Sequence, residues 1–132
     1  MIKGIYHVAI AVKNIEEAMD LYCKAFDLQK VTIHTLPEHG VKSAMIKIGN
    51  SHIELISPLD ANGGVAKFIE AKGEGIHHVS FEVDNVDAEL NALAARGIAL
   101  IDKKARSSGT GGMMGFVHPK STKGVLVEIS KP

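Results

Sequence analysis

The chain has 132 residues, 45% of them hydrophobic, which suits one domain with a real core. Lys+Arg and Asp+Glu both number 15, so the formal net charge is zero, and neither a basic stripe for nucleic acid nor an acidic disordered tail is present. The single cysteine, Cys23, excludes an internal disulfide and fits a reducing compartment, and no apolar stretch approaches the roughly 20 residues of a membrane span. Met1 leads directly into a strand pattern with no signal peptide, so the expectation is a soluble, cytoplasmic protein.

Residues 5–12 alternate as a strand: Tyr6, Val8, Ile10 and Val12 on one face, Ile5, His7, Ala9 and Ala11 on the other. Asn14 is placed to cap the next helix, with Glu17 in capping-box position. Ile15, Ala18, Met19 and Tyr22 then recur at helical spacing. This helix should cover the Val8/Ile10/Val12 face and leave the His7 face free. Cys23 falls in its apolar pattern and reads as a core thiol. Strand-like runs follow at about 29–36, 41–48 and 52–57, the last two joined by a Gly49-Asn50 turn. A linker helix is expected near 65–71, broken by Gly73-Glu74-Gly75. The second half predicts a strand at 75–83, a helix carrying Val86, Leu90, Leu93 and Ala94, and strands at 98–103, 113–118 and 124–130. Residues 107–112 are polar and glycine-rich, a loop. The expected fold is α+β, with two paired β-α-β-β-β modules forming a curved sheet around a cleft. Residues 1–132 would be one domain: module one at about 1–58, a linker helix at about 59–74 and module two at about 75–132.

The two halves echo one another. Ile5-Tyr6-His7-Val8 returns as Ile76-His77-His78-Val79, an offset of 71 (78 − 7), and Ile53-Glu54-Leu55 returns as Val127-Glu128-Ile129, an offset of 74 (128 − 54). By strand parity, His7 and His78 lie opposite the helix-facing apolar residues, and each glutamate is flanked by apolar neighbours that point the other way. A carboxylate in such surroundings is expensive to bury without a partner. A divalent cation held by two imidazoles and two carboxylates removes that cost, so His7, Glu54, His78 and Glu128 are the candidate metal ligands. Imidazole suits zinc, nickel, cobalt and iron and carboxylate suits harder ions such as manganese, so the mixed donor set leaves the ion open, with Co2+, Mn2+, Ni2+ and Zn2+ as candidates. His77 falls on the helix side and reads as structural, and His34, His39 and His52 lack repeat partners. Four protein ligands leave room for a substrate with two oxygens, which points to proton abstraction beside a carbonyl. The basic cluster Lys103, Lys104 and Arg106 reads as solvated surface or as a contact for an anionic ligand.

With these residues in place, the chain resembles the vicinal-oxygen-chelate superfamily and, within it, the methylmalonyl-CoA epimerase family. The resemblance covers nearly the whole chain. It rests on the strand motifs of the repeat and on Pro37-Glu38-His39-Gly40-Val41, Ala66-Lys67-Phe68-Ile69, Gly73-Glu74-Gly75-Ile76-His77-His78 and His118-Pro119-Lys120-Ser121. It implies an isomerase that interconverts (R)- and (S)-methylmalonyl-CoA by α-proton abstraction through a metal-stabilised enolate. An acyl-CoA substrate, a divalent metal with Co2+ favoured, and a homodimer follow from the same resemblance. Glu128 becomes one base as well as a ligand. Ser43 stands where several bacterial relatives carry the opposite base; serine is a poor base at pH 7, so the expected second proton carrier is a water held by Ser43 or another residue that the sequence does not single out. Lys120 and Ser121 become candidates for substrate binding. A glyoxalase I-type lactoylglutathione lyase and a non-catalytic ligand-binding protein of the same fold are the competing functions.

Overall fold

A computed structural model describes residues 1–132. Its backbone divides into two compact units, His7–His77 on the one hand and Met1–Tyr6 with His78–Pro132 on the other. Eight strands and three helices follow in the order β1 (Gly4–Ala11), α1 (Ile15–Phe26), β2 (His34–Leu36), β3 (Val41–Ile48), β4 (Ser51–Pro58), α2 (Gly64–Lys72), β5 (Gly75–Glu82), α3 (Val86–Ala95), β6 (Arg106–Ser107), β7 (Met113–Val117) and β8 (Val127–Lys131). The α+β class and the repeated β-α-β-β-β order are as expected. No helix is long and apolar enough to cross a membrane.

In the His7–His77 unit the strand order is β2-β3-β4-β1, with β1 and β4 parallel and the other neighbours antiparallel. Asn14 caps α1 as its spacing requires, its side-chain oxygen accepting from the Glu17 N–H at 2.9 Å. The helix then buries Ile15, Met19 and Cys23 against Val12, Ala44, Ile46 and Leu55. The other face of β1 is not left bare. Ala9 and Ala11 pack with Ile56, Val41 and Leu36 beneath Val65 of α2, and Phe68 and Ile69 lie against the same cluster. Two alanines leave room for a helix there, so α2 covers the far end of the face that carries His7. His77, read as structural, packs edge-on against Phe68 with ring centroids 4.9 Å apart.

The second unit repeats the pattern as β5-β8-β7-β6, with β5 and β8 parallel. Asn85 caps α3 as Asn14 caps α1, accepting from the Ala88 N–H at 2.9 Å. Val86 and Leu90 join Val83, Val117, Val127 and Ile129 in the core. Gly115 makes that packing possible: a Cβ there would stand 2.8 Å from Leu90 Cδ1.

Three expected strands are shorter or displaced. Of residues 29–36 only the last three pair, because Val31 and Ile33 pack against the α1 cluster before the ladder begins. Residues 98–103 form no strand, and Leu100 makes a single bridge to Val117. The N–H groups of Ile101 and Asp102 both donate to the Phe116 carbonyl, and the Asp102 carboxylate accepts the Phe116 N–H at 2.9 Å. A side chain thus takes the place of a ladder carbonyl, and pairing resumes only at Arg106. The last strand starts at Val127, since the preceding residues continue a turn in which Lys123 and Gly124 have positive φ.

Substituting either cap, Asn14→Ala or Asn85→Ala, should lower unfolding free energy by about 1 kcal/mol, read as a shift in urea midpoint with an unchanged m-value.

Candidate metal centre

Each unit builds the same pair of side chains by the same rule. In the first, Glu54 is the register partner of Ala9, two residues beyond His7. In the second, Glu128 is the register partner of Ser80, two residues beyond His78. Facing residues on adjacent strands share a sheet face, and so do residues two apart on one strand. Each histidine and its glutamate therefore project to the same side. His7 Nε2 lies 3.3 Å from Glu54 Oε1, and His78 Nε2 lies 3.7 Å from Glu128 Oε2. Both histidines are buried, as is Glu128, while Glu54 is partly buried.

Burial pushes the His7 imidazole down to about 4, with His52, its register partner, a smaller cause. At neutral pH His7 is therefore uncharged and has a nitrogen lone pair to offer a metal. Burial raises the Glu128 carboxyl above the usual carboxylate range, against hydrogen bonds from Ser80 and Ser130 and the positive charge of Arg106, which act the other way. The neutral imidazole and the costly carboxylate both fit residence of a cation.

Ser43, in β3, is buried and donates from Oγ to Glu54 Oε2 at 2.7 Å. Lys120 and Ser121 lie in a short 3-10 turn, Pro119–Ser121. Its first N–H, that of Lys120, is capped by the His118 ring, whose Nδ1 accepts from it at 3.1 Å. Ser121 Oγ accepts from the Ala99 N–H at 2.9 Å and so ties this turn to the segment after α3, while the Lys120 side chain is exposed.

Four neighbours of the second pair were not singled out by the repeat. Ser130 donates to Glu128 Oε1 at 3.1 Å, and the Ser80 and Ser130 hydroxyls bond to each other. Phe116 stands edge-on to His78 at 5.3 Å between centroids. Arg106 lies over the Phe116 ring at 5.8 Å and pairs through Nε with Asp102 at 3.1 Å. Parity could have found Ser80 and Ser130, which share the face of His78 and Glu128; the cross-strand contacts of Phe116 and Arg106 carry no sequence signal.

Residues 6–116 match the glyoxalase/bleomycin resistance protein/dioxygenase superfamily. The mitochondrial methylmalonyl-CoA epimerase of Mus musculus is 36% identical over 126 residues, covering 95% of this chain and 71% of its own. The ethylmalonyl-CoA/methylmalonyl-CoA epimerase of Cereibacter sphaeroides is 33% identical over 133 residues and 99% of both chains. A methylmalonyl-CoA epimerase solved with methylmalonyl-CoA and NH4+ superposes with a TM-score of 0.95 at 28% identity, covering 99% of this chain and 95% of the other. The chain belongs to that superfamily and, within it, to the methylmalonyl-CoA epimerase family.

The two shifts have opposite signs in chelator-treated protein. His7 keeps its folded pKa below its unfolded value, so from about 4 to 6.5 the unfolded chain binds the extra proton and stability rises with pH. Glu128 keeps its folded pKa above its unfolded value, so stability is lost as pH rises from 4.5 through the folded value. Glu128→Gln removes only the second effect. Its melting temperature should match the parent below pH 4.5 and exceed it at pH 8, as followed by circular dichroism.

Proposed function

We propose that this protein is a metal-dependent epimerase that interconverts (R)- and (S)-methylmalonyl-CoA, with His7, Glu54, His78 and Glu128 as ligands of one divalent ion. The observation that carries the proposal is the repeated register: each half brings an imidazole and a carboxylate to one sheet face by the same pairing. The donor chemistry of His7, Glu54 and His78, two imidazole nitrogens and a carboxylate oxygen, supports it. So does the naming of relatives as methylmalonyl-CoA epimerases over nearly the full chain. Cobalt is the favoured ion, by family resemblance. The protein is assigned to the cytoplasm, where the buried free thiol of Cys23 stays reduced, and to a homodimer in which residues 1–132 act as one domain.

When bound, the ion supplies Lewis acidity that offsets negative charge developing on the thioester carbonyl oxygen. Glu128 takes the α-proton, and the C–H electron pair moves into the carbonyl to leave a planar enolate. A carboxylate has about four lone-pair sites, so Oε1 can accept the Ser130 hydrogen bond and still receive that proton. Return of a proton from the opposite face inverts the centre: a water held by Ser43 delivers it, and the hydroxide left behind is reprotonated as Glu128 releases its proton to solvent. The Ser43 hydroxyl donates to Glu54, and its lone pairs remain to accept from such a water. Lys120 and Ser121 bind the carboxylate or thioester end of the substrate, and the exposed Lys120 ammonium suits the carboxylate.

Solvent deuterium should enter the α-carbon of methylmalonyl-CoA, stop on chelation and resume on metal add-back, as followed by proton NMR. Glu128→Ala should abolish the exchange and Ser43→Ala only slow it. Lys120→Ala should raise KM with kcat little changed. Turnover of the glutathione hemithioacetal with none on methylmalonyl-CoA would replace the epimerase by a lactoylglutathione lyase.

A further inference from the structure

The two glutamates share a second feature, which the repeat in the sequence does not contain. Each has one carboxylate oxygen toward a histidine and the other held by a serine hydroxyl. Glu54 turns Oε1 to His7 at 3.3 Å and accepts from Ser43 through Oε2 at 2.7 Å. Glu128 turns Oε2 to His78 at 3.7 Å and accepts from Ser130 through Oε1 at 3.1 Å, with Ser80 bonded to Ser130 behind it. All three serines are buried.

The hydroxyls come from different strands. In the first unit Ser43 of β3 pairs with Ile56 of β4; in the second, Met114 of β7 pairs with Ser130 of β8. These are equivalent cross-strand pairs, since Met45 faces Glu54 and Phe116 faces Glu128 two residues away. One serine and one large apolar side chain fill each pair, with the serine on opposite strands. Packing accounts for the exchange in the first unit. Ile56 and Ala9, the counterparts of Ser130 and Ser80, lie in the cluster under α2, so a hydroxyl on β4 or β1 there would displace a core contact. β3 supplies it instead.

We infer that Ser43 and Ser130, the latter braced by Ser80, are positioning residues that fix each glutamate to present a single oxygen to the metal. This rests on the metal site proposed above. A hydroxyl donating to one oxygen orients the carboxylate plane and opposes bidentate chelation. Each glutamate would then offer the ion one oxygen, leaving room for the two oxygens of the substrate. The same division gives Glu128 separate oxygens for its two tasks: Oε2 toward His78 for the ion, and Oε1 on the serine side for the proton.

The test is Co2+ affinity, measured by competition with a chromophoric chelator on the full-length protein without substrate. Ser43→Ala and Ser130→Ala should each weaken binding by about 10- to 100-fold. Ser43→Thr, which keeps the hydroxyl, should stay near the parent value. Stoichiometric binding by the parent with unchanged affinity in both alanine variants would overturn the positioning role and leave the metal site standing. A parent that takes up no Co2+ would overturn the metal site and the positioning role together. Circular dichroism of each variant separates lost affinity from lost fold.

Discussion

The site depends on one constraint, the parallel pairing of β1 with β4 and of β5 with β8 in the same register. Side chains alternate along a strand, so a slip of one residue would send Glu54 or Glu128 to the helix-facing side. In both pairs the glutamate faces the residue two beyond the histidine. The register is held from the other face. Ile53 and Leu55 on one side and Val127 and Ile129 on the other pack with helices that bury them. The apolar residues that make each core thus fix where the carboxylates point. Folding energy and site geometry come from the same strands, on opposite faces.

The electrostatics follow from that placement. Burial keeps His7 neutral and makes the charge on Glu128 costly, and both consequences suit a cation-binding pair. Serine hydroxyls offset part of the carboxylate's desolvation without neutralising it. The second unit sets Phe116 against His78 and Arg106 above Phe116. In the first, Ser43 of β3 donates to Glu54, while α2 occupies the adjacent part of the face with apolar contacts. An internal repeat has in this way become two unequal halves: equal in the proposed ligands, unequal in what surrounds them.

Much of the fold was legible because its signals are local. The period-2 alternation of residues 5–12 and the asparagine caps at 14 and 85 act within a few residues of themselves. What failed was equally physical. The run at 98–103 has strand composition, yet the Asp102 carboxylate captures the N–H that a strand there would have paired. The run at 29–36 spends its apolar residues against α1 before reaching its partner strand. At the site, the histidines and glutamates were legible through the repeat, and Ser80 and Ser130 through parity. Ser43 was marked by family resemblance as standing at the position of the opposite base; its hydrogen bond to Glu54 depends on which strand lies beside β4.

The sequence by itself determined the duplication, the α+β class and the four side chains proposed to hold metal. It could do so because strand periodicity fixes the face of a residue from its own neighbours. Only the tertiary structure decided which oxygen of each glutamate meets a histidine and which meets a serine. It also decided that α2 closes the far end of the His7 face and that Arg106 stands over Phe116. Those contacts join residues on different elements, and register and packing, rather than local pattern, set the distances between them.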